Sequence, residues 1–126
     1  MLAPVSSAQL EAIKVPANLR DPDGAWWGLS SRARVIVYAR DRVKPEQLKD
    51  YEDLAAPEWK HRVLTRSGTH PYSLALTASM IETLGEEKTE EWVKGLVANL
   101  ARPPQGGDTD HIKAVPVGEG DLPSPT

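Results

Sequence analysis

The feature that most constrains the fold is a short apolar run that ends at a polar junction and precedes two amphipathic stretches. Residues 62–65 read RVLT and predict a short strand. Residues 72–84 and 86–100 each carry apolar side chains at helical spacing, and Gly85 between them is a typical helix-ending residue. The predicted inward side chains are Leu76, Met80, Ile81, Leu84, Trp92, Val93, Leu96, Val97 and Leu100. Alternating strands and helices predict an α/β fold with a short sheet flanked by helices.

The remaining segments predict shorter elements. Residues 6–13 predict a helix capped by serines, and residues 15–24 predict turns. Residues 34–39 predict a strand because they contain a β-branched run, Val35–Val37, followed by a tyrosine. From Pro45 the chain predicts a helix, a break near residue 51, and a short helical turn stopped by Pro57. A last helix is expected to begin at a capping Asp108, with inward side chains Ile112 and Val115. The tail from residue 117 shows no periodicity.

Composition narrows the classes of function. The chain has 126 residues, which suits one domain, and its net charge of −3 argues against nucleic-acid binding. Cysteine is absent, so any metal site must use oxygen or imidazole ligands. No apolar run is long enough for a membrane span. The first residues lack the pattern of a secretory signal, so the chain as written is expected to stay in the cytoplasm.

The junction between the predicted strand and helix contains Arg66, Ser67, Gly68 and Thr69. Backbone N–H groups at a helix start attract anions, and glycine allows a ligand to approach the backbone. A guanidinium group and two hydroxyls add donors for an oxyanion of the size of phosphate or carbonate. The alternative is a capped helix after a surface loop, and spacing alone leaves both interpretations open.

Tyr72 stands on the first turn of that helix, beside the candidate oxyanion site. A phenolate is a hard oxygen ligand suited to a trivalent cation. The alternative is a half-buried tyrosine whose hydroxyl lies at the surface. Spacing alone favours this second interpretation.

A second candidate metal cluster comprises His70, Asp108, Asp110 and His111. Aspartates at a helix start are also what capping and the helix dipole favour, so structural or surface roles are preferred for these residues and for His61. The chain has no nucleotide-binding glycine loop, nucleophile elbow or zinc-protease helix. We therefore predict that it is not an enzyme.

Several segments together resemble the bacterial periplasmic ferric-iron-binding proteins, the substrate-binding subunits of iron ABC transporters. The resemblance spans about residues 5–122, and it rests on five stretches: VPANLRDPDGAWWGLSSRARVIVYARD, YEDLAAPEWKHRVLTRSG, LTASMIETLGEE, WVKGLVANLARPPQGGDTDHIKAV and GEGDL. The family has the type 2 periplasmic-binding fold, in which two α/β lobes hold ferric iron in a cleft. This chain is expected to form part of one lobe, as a single partial domain over residues 1–126.

The resemblance also implies roles for particular residues. Tyr72 matches a tyrosine that binds iron in the family, although Ser73 replaces the asparagine that follows it there. Ser67, Gly68 and Thr69 match the segment that holds a synergistic carbonate or phosphate, and Arg66 precedes them. Arg32 and Arg34 lead toward the cleft and are expected to add positive charge. The implied partner is the permease of an ABC transporter, and the implied location is the periplasm or cell surface.

The chain departs from the family at its end. Relatives continue after GEGDL with a strand and paired tyrosines, whereas residues 123–126 read PSPT, which disfavours a strand. We therefore expect a truncated product of a disrupted reading frame, with weak or no iron binding by the isolated chain. We also expect homo-oligomers formed through exposed apolar side chains, namely Trp26, Trp27, Val35, Ile36 and Val37. The alternative function is a self-associating structural remnant without a ligand.

Overall fold

The computed structural model describes residues 13–123, which belong to two compact units that separate between Ala33 and Arg34. The helix predicted for residues 6–13 lies outside the described residues except at its last position. The same is true of the tail after Pro123. The assignment of residues 1–126 to a single partial domain stays a prediction.

The described part of the first unit is a compact turn that follows a single 3₁₀ turn, Ala17–Leu19. Arg20 and Trp27 form an antiparallel bridge, and the Arg20 guanidinium lies 5.3 Å from the indole centroid of Trp27. Between them, the Asp21 carboxylate accepts hydrogen bonds from the backbone N–H groups of Asp23 and Ala25 at 3.1 and 2.9 Å. The predicted turn chemistry of residues 15–24 is confirmed.

The second unit contains three α-helices. These are α1 (Pro71–Leu84), α2 (Glu86–Ala98) and α3 (Asp108–Ala114). Gly85 separates α1 from α2 with a φ of 87°, a conformation that glycine adopts without strain. All three helices were predicted, although α2 ends before Leu100 and the N-cap of α3 is Gly107 rather than Asp108. None of the helices in residues 13–123 has the length and apolarity needed to span a bilayer.

A two-stranded parallel sheet lies beside these helices. Strand β1 (Val63–Leu64) pairs with β2 (Leu122–Pro123) in the register Val63↔Leu122 and Leu64↔Pro123. On its other side Val63 makes a parallel bridge to Leu100. The strand predicted at RVLT is confirmed. Pro123 takes part in a buried strand although its residue type disfavours one. Proline is tolerated at a sheet edge, where its missing N–H is not needed for the ladder.

The core has two adjoining clusters. The first cluster surrounds the sheet and consists of Val43, Leu54, Trp59, Val63 and Leu122. The second cluster joins Leu76 and Met80 of α1 to Trp92 of α2. The buried amide of Asn99 donates to the carbonyl oxygens of Leu54 and Ala56 at 2.9 and 2.7 Å. Since these carbonyls belong to the loop of short turns that precedes β1, Asn99 holds this loop against α2.

An ion-pair network lies beside the sheet of the second unit. Asp121 accepts from Nε of Arg42 at 2.5 Å and from Nε of Arg62 at 2.6 Å, and the Arg62 guanidinium lies 4.9 Å from the ring centroid of Trp59. Burial opposes ionisation of Asp121, but the hydrogen bonds from the two arginines outweigh it and hold its pKa below the ordinary value. The network links three segments that are distant in sequence.

The strand predicted for residues 34–39 is not formed. These residues are extended, with Ile36 and Tyr38 packed against the core and Val35 and Val37 exposed, as the alternation of a strand requires. Among the described residues, the backbone–backbone hydrogen bonds of this segment are made by Ala39 alone: its N–H donates to the carbonyl of Asp121 at 2.9 Å, and its carbonyl accepts from the N–H groups of Arg42 and Val43. Within residues 13–123 no neighbouring strand lies beside this segment. Its sequence favours a strand, but the ladder of backbone hydrogen bonds that defines a strand is missing.

The helix predicted after Pro45 is replaced by three separate 3₁₀ turns: Pro45–Gln47, Glu52–Ala55 and Pro57–Trp59. The Asp53 carboxylate accepts from the N–H groups of Lys49 and Asp50 at 2.7 and 3.3 Å, so a side chain replaces helical backbone acceptors. The predicted break and the short turn before Pro57 are confirmed by Glu52–Ala55. Pro57 also begins a further turn, since proline suits the first position of a helical turn.

Several predicted inward positions are wrong. Ile81, Val97 and Ile112 are exposed, because each helix buries a narrower stripe than its apolar residues suggest. In α3 the buried side chains are His111 and Ala114, one position before the predicted pair. Of the apolar side chains expected to be exposed, Trp26, Val35 and Val37 are exposed, whereas Trp27 and Ile36 are half-buried.

Candidate functional site

The junction between β1 and α1 is built around His70, the N-cap of α1. Nδ1 of His70 accepts a hydrogen bond from the N–H of Tyr72 at 3.2 Å, and Pro71 occupies the first helical position. The carbonyl of His70 accepts from the N–H of Leu74 at 3.0 Å. An imidazole therefore satisfies one of the helix-start donors that an anion would otherwise use.

The hydroxyls of Ser67 and Thr69 lie side by side before this cap. Their oxygens are 2.8 Å apart, and Ser67 Oγ accepts from the N–H of Thr69 at 3.3 Å. Both side chains are exposed to solvent. Within residues 13–123, the N–H groups of Ser67 and Gly68 have no hydrogen-bond acceptor. Two hydroxyls and two N–H groups are thus available to an incoming oxyanion.

Gly68 is not required by the backbone at this junction. A Cβ added there would meet no atom within 4 Å, and its φ lies outside the left-handed region. The chain turns at this point, but the turn does not require a glycine. The remaining proposed role of Gly68 is to leave open space through which a ligand can reach the backbone.

Arg66 connects this junction to α3 and to Tyr72. Its Nη2 lies 3.0 Å from Oδ1 of Asp108, and its Nη1 lies 3.1 Å from Nε2 of His70. Its guanidinium carbon is 5.6 Å from the ring centroid of Tyr72. The side chain of Arg66 is mostly buried, so its position is well constrained. An oxyanion at Ser67–Thr69 would share Arg66 with Asp108.

Two cations lie near the ring of Tyr72. Its side chain is 37% exposed, and the guanidinium carbon of Arg34 is 5.7 Å from its ring centroid, a distance similar to that of Arg66. The ring of His70 meets it edge-on at 5.0 Å. Arg34 therefore adds a positive charge beside Tyr72, whereas Arg32 belongs to the other unit of the chain; the expected contribution of both to the cleft stays a prediction.

The alternative metal cluster is not assembled. Asp108 pairs with Arg66, Asp110 accepts from the N–H of Gly107 at 2.9 Å, and the buried His111 ring contacts the carbonyl of Gln105 at 2.8 Å. His61 is exposed. No group of three or more histidine, aspartate or glutamate side chains able to hold a metal occurs in the part of the chain that the structure describes. Each of these residues has a structural or surface role, as the sequence favours.

The pairing of Arg66 with Asp108 escaped sequence reasoning. The two residues are separated by 42 positions, and an aspartate at a helix start already has a local explanation. The cation–π contact between Arg34 and Tyr72 is equally non-local. Only the packing of α1 and α3 beside β1 brings these charges together.

Comparison with known proteins identifies the family. Residues 1–111 match the family described as bacterial extracellular solute-binding protein. The chain belongs to this family. Iron uptake protein A1 of Synechocystis is 53% identical to this solute-binding chain over 119 residues, which are 94% of the chain and 33% of the relative.

Solved structures of solute-binding proteins agree with this assignment. A Trichodesmium FutA protein in complex with iron and citrate is 49% identical, with a TM-score of 0.85, and a ferric-binding protein of Campylobacter jejuni is 42% identical, with a TM-score of 0.89. Each comparison covers 98% of this chain and 39% of the solved one. The predicted partial lobe of the type 2 periplasmic-binding fold is confirmed, and the relatives are transport proteins rather than enzymes. The chain spans about a third of the length of its curated relatives.

Proposed function

We propose that this chain contributes one metal ligand and an oxyanion site to iron(III) uptake through an ABC transporter. The observation that carries the proposal is the position of Tyr72, which is partly exposed at the start of α1 and lies within 6 Å of the guanidinium carbons of Arg34 and Arg66. Relatives named for iron uptake and ferric binding support it. Action outside the cytoplasmic membrane and a permease partner belong to the same proposal.

The charges around Tyr72 explain why the proposed iron site includes an anion. Ferric iron prefers hard oxygen donors, which a phenolate supplies. Two guanidinium groups within 6 Å of the ring would repel a trivalent cation unless negative charge intervened. Carbonate or phosphate at Ser67–Thr69 would supply that charge, because the hydroxyls and free N–H groups there face solvent close to Arg66.

The isolated chain is proposed to bind iron weakly. Ferric iron takes about six donors from converging directions. Among the described residues the junction offers one phenol and, with a bound oxyanion, one or two further oxygens, and no acidic or imidazole cluster completes the shell. Titration with ferric citrate tests this: we expect no stoichiometric phenolate-to-iron charge-transfer band, and a strong band at one iron per chain would contradict the proposal.

The oxyanion site is tested separately by titrating the iron-free chain with phosphate and with carbonate. We expect saturable chemical-shift changes at the amides of Ser67, Gly68 and Thr69. Arg66→Ala and Ser67→Ala should weaken them, and Ser79→Ala, an exposed serine further along α1, is the matched control. Equal changes in all three variants would assign the anion to non-specific binding.

A second candidate function, self-association, rests on the extended segment at residues 35–38. Val35 is 61% exposed and Val37 is 41% exposed. None of the backbone N–H and C=O groups from Val35 to Tyr38 has a hydrogen-bond partner within residues 13–123. A strand-like segment with an apolar outer face and free backbone groups is a template for pairing with a second copy.

Two substitutions test this pairing. Val37→Pro removes a backbone donor as well as an apolar side chain, whereas Val37→Thr keeps the donor and the strand propensity. Light scattering of the unaltered chain should give more than one copy per particle, with Val37→Pro reducing the mass and Val37→Thr retaining it. A monomer at high concentration would refute self-association.

A further inference from the structure

A small cavity lies between α1 and α2 and adjoins the junction that carries the proposed oxyanion site. Its volume is about 120 Å³, and two residues of the junction, Arg66 and Gly68, line part of it. The lining also includes the apolar side chains of Leu76, Trp92, Val93, Leu96, Val97 and Leu100. Val97 is 59% exposed, so the cavity reaches the surface. The junction and the cavity therefore share a wall.

The hydroxyl groups of the lining leave the interior of the cavity apolar. Thr77 donates to the carbonyl of Ser73 at 3.0 Å, and Thr65 donates to the carbonyl of Arg66 at 3.3 Å. The hydroxyl oxygen of Ser73 has almost no accessible surface. A molecule in the cavity therefore contacts mainly carbon, and removal of its own apolar surface from water is what favours its binding.

A cation and no carboxylate lines the edge of the cavity, as far as the described residues show. This cation is Arg66, with which Asp108 pairs from outside the lining. The exposed hydroxyls of Ser67 and Thr69 flank Gly68, beside whose backbone a Cβ would meet no atom within 4 Å. An anionic group at the junction would keep its contact with water, whereas an apolar group attached to it would leave water by entering the cavity.

We propose that the junction and the cavity together bind an organic carboxylate with a compact apolar tail. The carboxylate accepts hydrogen bonds at Ser67–Thr69, and the tail packs against Trp92, Leu96 and Leu100. The cavity is somewhat smaller than the apolar cavities of about 150 Å³ that bind benzene, so a branched tail of about four carbon atoms suits it. This inference rests on the proposed oxyanion site and names a class of ligand for it that carbonate and phosphate do not represent.

The test titrates the iron-free full chain with phosphate, acetate, isovalerate and the neutral amide of isovalerate, at constant ionic strength, and follows binding by NMR. We expect all three anions to shift the amide signals of Ser67–Thr69. Isovalerate should bind at least about tenfold more tightly than acetate, because each methyl or methylene group that is fully buried contributes roughly fourfold. The amide should bind much more weakly than isovalerate, and NOEs should join the isovalerate methyl groups to Leu96 and Leu100.

The outcomes separate this inference from the oxyanion site on which it rests. Saturable phosphate binding with equal affinities for acetate and isovalerate would overturn the inference and leave the oxyanion site standing. Equal affinities for isovalerate and its amide would overturn it too, since the carboxylate would then contribute nothing. If neither phosphate nor a carboxylate binds saturably, the proposed oxyanion site fails, and this inference fails with it.

A pair of matched substitutions locates the tail. Val97→Phe places a larger side chain at the exposed edge of the cavity and should lower isovalerate affinity to that of acetate, with phosphate affinity unchanged. Val117→Phe makes the same change at a valine that is 71% exposed and outside the lining, and it should alter neither affinity. Retained helical circular dichroism shows that Val97→Phe folds; if it does not fold, the NOEs of the unaltered chain decide. Unchanged isovalerate affinity in a folded Val97→Phe, or NOEs outside the lining, would overturn the inference.

Discussion

Oδ1 of Asp108 lies 3.0 Å from Nη2 of Arg66, so the cation nearest the candidate oxyanion site already has an anionic partner. The carboxylate acts as an internal competitor: it holds the guanidinium in place and also lowers the attraction of the junction for an external anion. The pair is partly exposed, so its strength depends on ionic strength.

Replacing Asp108 should therefore strengthen oxyanion binding. We expect Asp108→Asn to raise the affinity for phosphate about two- to fivefold, the range of a partly exposed ion pair. Titration calorimetry at low salt measures the change. Asp110→Asn removes the same charge from α3 without touching Arg66, and its affinity should stay near that of the unaltered chain. An equal gain in Asp110→Asn would mean that net charge, rather than the pairing of Asp108 with Arg66, controls binding.

The phenol hydroxyls of Tyr72 and Tyr51 should differ in their contribution to stability. Tyr51 donates from its hydroxyl to the carbonyl of Arg34 at 2.9 Å, whereas the partly exposed Tyr72 hydroxyl makes no such bond with the described residues. We expect Tyr51→Phe to lower the free energy of unfolding by about 1 kcal/mol. Tyr72→Phe should change it by less than about 0.5 kcal/mol. Urea denaturation measures both, and equal losses would contradict a functional assignment for Tyr72.

Asp121 should make stability sensitive to acid. Its pKa is lowered in the folded chain, so its contribution is present above the unfolded pKa near 3.8 and is lost as pH falls through the folded value. Asp121→Asn should lower the free energy of unfolding by about 1–3 kcal/mol at pH 7, with a smaller difference below pH 3.8.

The control for Asp121→Asn is Asp41→Asn, because Asp41 contacts the same Arg42 at 3.3 Å from an exposed position. Urea denaturation at several pH values should show little change in Asp41→Asn. A pH-independent loss in Asp121→Asn would show that packing, rather than charge, stabilises this corner.

Gly95 should resist replacement even though it lies inside a helix. A Cβ at this position would lie 2.8 Å from Cβ of Ala55 and 2.9 Å from its carbonyl oxygen. We expect Gly95→Ala to destabilise the fold by about 1–3 kcal/mol, since overpacking outweighs the gain in helix propensity of about 1 kcal/mol. Thermal unfolding measures it, with Gly68→Ala, which meets no atom within 4 Å, as the control. A stabilised Gly95→Ala would show that α2 and the loop can separate freely.

The helices could be predicted well because their determinants are local. The apolar spacing in residues 72–84 and 86–100, and Gly85 between them, place α1 and α2 within one or two residues of their observed bounds. Ile81 and Val97 nevertheless face solvent, because periodicity identifies the apolar residues but not the width of the partner surface.

The site could be predicted only in part. The residue types at Arg66–Thr69 and at Tyr72 are local features of the junction, and the structure places them together at the start of α1. The pairing of Arg66 with Asp108 depends on where α3 packs. The second guanidinium near the Tyr72 ring is that of Arg34, which lies 38 positions earlier in the chain.

The sequence by itself determined the helices, the turn at Gly85 and the chemistry of the junction, because hydrogen bonds within a helix and a turn join near neighbours. Only the tertiary structure decided the strands other than β1: residues 34–39 have strand character but no ladder, whereas Leu122–Pro123 lacks that character and pairs with β1. A strand depends on a partner distant in the chain, and the same holds for Arg66 with Asp108 and for Asp121 with Arg42 and Arg62.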